Sequence, residues 1–109
     1  MKRGEIWTAS GGPDYAGKPR PVVIIQDNRF AAAQSVTVCP LTTDPVGNEI
    51  ARLLVTPADA SGLREPSRLM ADKITTMQRS KLGHRIGDLS GSDVTRLNAA
   101  IAVFLGLAG

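Results

Sequence analysis

Four consecutive β-branched residues, Val22-Val23-Ile24-Ile25, follow directly on Lys18-Pro19-Arg20-Pro21. β-Branched side chains crowd a helix and pack well on a pleated surface, so this run is a strand. Both of its alternating faces are apolar, which predicts a central strand covered on both sides. Pro19 fixes its own φ, and each proline pushes the residue before it towards extended backbone. Lys18 and Arg20 therefore stand on a stiff stub at the edge of the core. A guanidinium restrained in this way loses little entropy when it binds a phosphate. An ordinary surface arginine at a strand start has the same local pattern, and the residues alone leave both readings open.

The rest of the composition narrows the options. With 109 residues, 42% hydrophobic and 21% charged, the chain is expected to form a single domain over residues 1–109 with one ordinary core. Aromatics are 4%, which does not favour a nucleic-acid surface built on stacked rings. A net charge of +3 permits a polyanionic partner without requiring one. Cys39 is the only cysteine, so an intrachain disulfide and a cysteine-based metal site are both excluded. Within Val36-Thr37-Val38-Cys39-Pro40-Leu41 it reads as a small buried hydrophobe. His84 is the only histidine and lacks companions for a metal set; it reads as a solvated neighbour of Arg85. Met1-Lys2-Arg3-Gly4-Glu5 has no apolar signal region behind it, and no apolar run approaches a membrane span, so a cytoplasmic protein is expected. No glycine-rich phosphate loop opens a helix, and no serine or cysteine stands in a nucleophile setting with a histidine base.

Along the chain, Glu5–Ala9 reads as a first strand with Ile6 and Trp7 on opposite faces. Ser10 to Gly17 breaks regular structure and carries Asp14 and Tyr15 beside the preset arginine, either as a lid over a site or as a plain hairpin connection. Asp27 to Ala33 starts a turn, and Val36–Leu41 is a third strand that Pro40 should end at an edge or bulge. Thr42-Thr43-Asp44-Pro45, taken alone, favours turn chemistry in which hydroxyls bond nearby backbone. Ile50–Thr56 is a fourth strand, residues 67–77 hold one or two more, Arg79–Gly83 is a helical turn, and His84–Asp88 is a last strand. Ser90-Gly91-Ser92-Asp93 has capping-box spacing before a helix whose apolar face is Val94, Leu97, Ile101, Phe104 and Leu105. Many short strands with one terminal helix predict a mainly β fold, a small, strongly bent antiparallel sheet or barrel.

In order along the chain stand Arg3-Gly4-Glu5-Ile6-Trp7, Gly17-Lys18-Pro19-Arg20-Pro21-Val22-Val23-Ile24-Ile25, Cys39-Pro40-Leu41-Thr42-Thr43, Gly62-Leu63 with Pro66-Ser67, and Leu82-Gly83-His84-Arg85-Ile86-Gly87-Asp88-Leu89-Ser90. As an ordered set these segments resemble the MazF/PemK toxin family of bacterial toxin–antitoxin systems. The resemblance implies a CcdB/MazF/Kid-type, SH3-like barrel with a C-terminal helix, assembled as a homodimer and held in check by an acidic antitoxin of the MazE/PemI kind. It implies an endoribonuclease that needs no metal or cofactor and cuts single-stranded RNA, usually messenger RNA. The ribose 2′-hydroxyl attacks the adjacent phosphate, leaving a cyclic phosphate and a free 5′-hydroxyl.

By the same resemblance Arg20 and Thr42 match the family's catalytic arginine and threonine, and Ser67 falls where some members carry a further active-site serine. Asp14, Tyr15, Lys18, Thr43, Ser67 and Lys73 are the expected RNA-binding set. Charge developing on the non-bridging phosphate oxygens suits a guanidinium, and the threonine hydroxyl can donate one more bond to them. Arginine is effectively always protonated, so stabilisation and acid-like donation fit it better than base action. The chain departs from the family in its first loop, where Pro13-Asp14-Tyr15-Ala16 replaces the common Gly-Ser-Glu-Gln or Gly-His-Glu-Gln, and again at Asp72-Lys73, which replaces a common acidic-Gln pair. Two other readings belong beside the nuclease: a gyrase-poisoning toxin of the CcdB type, independent of Arg20 and Thr42, and a barrel that binds RNA without cutting it.

Overall fold

A computed structural model describes residues 1–10, 18–48 and 50–108, and it places the Val22–Ile24 run in the middle of a sheet. Seven strands are found among these residues: β1 (Glu5–Ala9), β2 (Arg20–Ile24), β3 (Ser35–Thr42), β4 (Arg52–Val55), β5 (Ser67–Met70), β6 (Thr75–Gln78) and β7 (Leu82–Asp88). The helix α1 (Gly91–Phe104) follows. All pairings are antiparallel, in the order β4-β5-β3-β2-β1-β7, with β6 also against β3.

The central strand is covered on both sides, as its composition predicts. Val23 enters one apolar cluster with Ile6, Cys39, Leu41 and Leu69. Val22 and Ile24 enter a second with Ala9, Val36 and Val38. Ile6 and Trp7 separate in the same way, Ile6 into the first cluster and Trp7 against the second. Cys39 lies wholly within the first, and burial pushes its thiol up to about 12, consistent with a packing role.

β3 is the strand on which the sheet turns. One of its edges pairs with β2, while the other takes β6 along Ser35–Val38 and then β5 at Leu41–Thr42. Pro40 falls between the β6 and β5 partners, where a missing N–H costs no ladder bond. It therefore marks the change of partner, and the strand runs two residues past it to Thr42. A strand shared between two sheets makes the corner of a small barrel-like fold.

The helix packs on the first cluster through Leu97 and Ala100, with Val94 and Ile101 half-buried beside them. Ser90 is its N-cap and accepts the Asp93 N–H at 3.1 Å, and Gly106 (φ 76°) turns the chain out of it. Phe104 and Leu105, which the periodicity assigns to the same apolar face, are about half exposed. β4 begins at Arg52, two residues later than expected, because Asn48 gathers the N–H groups of Ile50, Ala51 and Arg52 into a turn.

Candidate active site

The position of each candidate residue follows from strand register. Opposite residues of an antiparallel pair share a face of the sheet, and successive residues alternate. On β3 and β5, Leu41 lies opposite Leu69 and Thr42 opposite Arg68. The two leucines enter the first cluster, so Thr42 and Arg68 point to the other face, away from α1. On β2 and β3, Val22 lies opposite Pro40 and Val23 opposite Cys39. Continuing that register by two residues sets Arg20 opposite Thr42, about 4.8 Å away in strand spacing. Arg20 also faces Ala9 on β1, and Arg68 faces Leu54 on β4. One transverse row thus carries Ala9, Arg20, Thr42, Arg68 and Leu54 across five strands.

Thr42 has a defined hydrogen-bond polarity. The Asp44 N–H donates to its Oγ1 at 3.1 Å, and the Asp44 carboxylate in turn accepts the Val46 N–H at 2.9 Å. This is the turn chemistry expected of Thr-Thr-Asp-Pro. It also serves a site, because a hydroxyl oxygen already accepting from backbone keeps its own proton for another acceptor. Arg20 is exposed at the head of β2, with Lys18 exposed beside it. Among the described residues no carboxylate pairs with Arg20.

The other arginines are mostly committed. Arg52 grips Asp72 with two bonds, Nε to Oδ1 at 2.6 Å and Nη2 to Oδ2 at 3.0 Å. The Arg52 guanidinium holds the Asp72 carboxyl below the ordinary carboxylate range, and Asp72 raises Arg52 in return. Arg85 pairs with Glu5 and Asp88, and Arg96 with Asp93.

The remaining expected residues do not all join the row. Thr43 is exposed next to Thr42. Lys73 is exposed on the short turn Ala71–Lys73, whose Ala71 is buried in the cluster under α1. Ser67 is opposite Val55, so it shares the buried face; it is 4% exposed and donates its hydroxyl to the Glu65 carbonyl at 3.0 Å. The register thus turns it to the side of the sheet away from Thr42. Asp14 and Tyr15 lie outside the described residues. An open groove of about 580 Å³, lined by Ala32, Ala33, Gln34, Gln78, Arg79 and Ser80, is at the start of β3, a full strand length from Thr42.

A family model for the PemK-like, MazF-like toxin of type II toxin–antitoxin systems matches residues 2–105. The chain belongs to that family. It is 50% identical, over the whole of both chains, to a probable endoribonuclease MazF of Mycolicibacterium smegmatis. It is similar to the solved toxin MazF-mt6 of Mycobacterium tuberculosis, with a TM-score of 0.80, 29% identity, and coverage of 96% of this chain and 99% of that one. A mycobacterial endoribonuclease in complex with its cognate antitoxin shares the fold, with a TM-score of 0.84 at 24% identity, covering 100% of this chain and 98% of the other. The mainly β MazF-type fold with a C-terminal helix is therefore that of this toxin. Arg68, which also stands on the row, is a position that sequence reading leaves as an anonymous strand residue.

Proposed function

We propose that this MazF-like toxin is a metal-independent endoribonuclease for single-stranded RNA, with Arg20 and Thr42 as its catalytic pair. The observation that carries this reading is the continued β2–β3 register, which sets a guanidinium with no carboxylate partner among the described residues opposite a hydroxyl that accepts a backbone N–H and has its own proton to donate. Arg20 neutralises charge on the non-bridging oxygens as the 2′-oxygen closes on phosphorus, and Thr42 donates one further bond to them. The P–O5′ bond breaks, the 2′-hydroxyl gives up its proton and the departing 5′-oxygen gains one. A 2′,3′-cyclic phosphate and a 5′-hydroxyl remain. DNA lacks the nucleophile and is spared. Lys18, Thr43 and Lys73 are assigned to RNA contact beyond the reacting phosphate, together with Asp14 and Tyr15; Ser67, buried on the opposite face, is left out of that set.

Family membership supports a cytoplasmic toxin checked by an antitoxin, and the basic row suits an acidic antitoxin segment lying across it. The exposed Phe104, Leu105 and Leu107 at the end of α1 support assembly as a homodimer.

The test is incubation of the protein with a long single-stranded RNA in EDTA, beside the Arg20→Ala variant. Discrete fragments with 5′-hydroxyl ends are expected from the wild type, and cleavage slowed by about 10²-fold or more from the variant. Survival of two long transcripts of unrelated sequence overturns the proposal and turns attention to protein targets such as gyrase.

A further inference from the structure

We infer that Arg68 is a second phosphate-binding residue of this site, gripping the phosphodiester next to the one that is cut; this rests on the endoribonuclease reading. Three observations converge on it. Arg68 is the register partner of Thr42 and shares its face of the sheet. No carboxylate among the described residues pairs with it, as is also the case for Arg20, the other charged residue of the row. Its guanidinium is held rather than free: Nη1 donates to the Arg52 carbonyl at 3.2 Å, and Arg52 is itself locked to Asp72.

That anchoring bond fixes both direction and reach. Arg68 leans towards β4, away from Thr42, so it does not converge with Arg20 on one phosphate. Arg20 and Arg68 stand on β2 and β5 with β3 between them, roughly 10 Å apart at the backbone. Two long cationic side chains at that backbone spacing, with a hydroxyl between, can reach neighbouring phosphates of an extended single strand laid across β3. Among the described residues one of the five N–H donors of Arg68 is engaged, which leaves the others for a ligand. The Asp72 carboxylate is held by Arg52, and Asp44 accepts the Val46 N–H.

The experiment measures binding of a 2′-O-methyl RNA, which cannot be cut, over a series of salt concentrations. Arg68→Gln, Arg68→Ala and Arg68→Lys are compared with wild type, and a thermal melt of each checks folding. For one lost phosphate contact on a single strand, the slope of log affinity against log salt should fall by about 0.7 in the Gln and Ala variants, with about tenfold weaker binding near 0.1 M salt. The Lys variant should keep the wild-type slope. On cleavable RNA, the Gln variant should raise KM about tenfold and leave kcat within about threefold. A neutral methylphosphonate at the flanking position should weaken wild type by a similar factor and leave Arg68→Gln unaffected. An unchanged slope and KM in folded Arg68→Gln overturns the inference while wild-type cleavage leaves the endoribonuclease reading intact. Wild-type failure to cleave, with the slope change present, overturns that reading and leaves Arg68 as a phosphate contact in a binding module.

Discussion

At the scale of single residues, Thr42 shows how one side chain serves a turn and a site together. Its oxygen accepts the Asp44 N–H, which tightens the exit of β3, and the hydroxyl still has its own proton to donate. Thr42→Val keeps the shape and removes both functions. It should lower kcat for RNA cleavage by about 10²-fold, the scale of losing one transition-state donor. Thr42→Ser keeps the hydroxyl and should stay within about tenfold of wild type. Single-turnover kinetics on one defined oligonucleotide separates the two; equal losses would show that the hydroxyl is not used. Arg20 was legible because prolines mark it in the sequence. Arg68 was not, since nothing local distinguishes a strand arginine that is paired from one that is not.

At the scale of elements, α1 was the segment most fully readable, and its N-terminus explains why. Capping is local chemistry: Ser90 Oγ meets the Asp93 N–H three residues on. Ser90→Ala should cost about 1 kcal/mol and lower the melting temperature by about 4–8 °C, read by circular dichroism. The other end was less readable, because periodicity records which side chains share a face, not how far the neighbouring surface extends. Phe104 and Leu105 continue the stripe past the last cluster residue of the helix, Ile101. The turn ending at Leu63 shows the same limit. Gly62 takes φ 72°, and a Cβ there would collide with the Ile86 carbonyl of β7. Strain and collision together predict that Gly62→Ala destabilises by about 2 kcal/mol or more in denaturant unfolding. A loss below about 0.5 kcal/mol would mean that the turn moves off β7 freely.

At the scale of the molecule, charge pairing shapes stability against pH. Burial pushes the Glu5 carboxyl up, but the Trp7 indole N–H, the Lys2 N–H and Arg85 together bring it below its ordinary 4.5. Arg52 brings Asp72 below its ordinary 3.8. Carboxyls that ionise more readily when folded contribute stability that is complete above their unfolded values and is lost as pH falls through the folded ones. The melting temperature should therefore be flat from about pH 7 to pH 5 and fall below about pH 4.5. Asp72→Asn should lower it at neutral pH, because Arg52 is left half-buried and unpaired, and should flatten the acid limb. Identical acid limbs in the two proteins would remove Asp72 from this account.

The sequence by itself determined the local features: a β-branched central strand, a proline-braced arginine, a capped terminal helix, and a family resemblance carried by ordered short segments. These depend on φ restriction, side-chain branching and periodicity, which act over a few residues. Only the tertiary structure decided register. Pairing β2 with β3 and β3 with β5 brings residues 20, 42 and 68 into one row. The same pairing turns Ser67, one residue from Arg68, to the buried face. Because strand faces alternate with every residue, no local signal could separate those two positions. Long-range hydrogen bonding did.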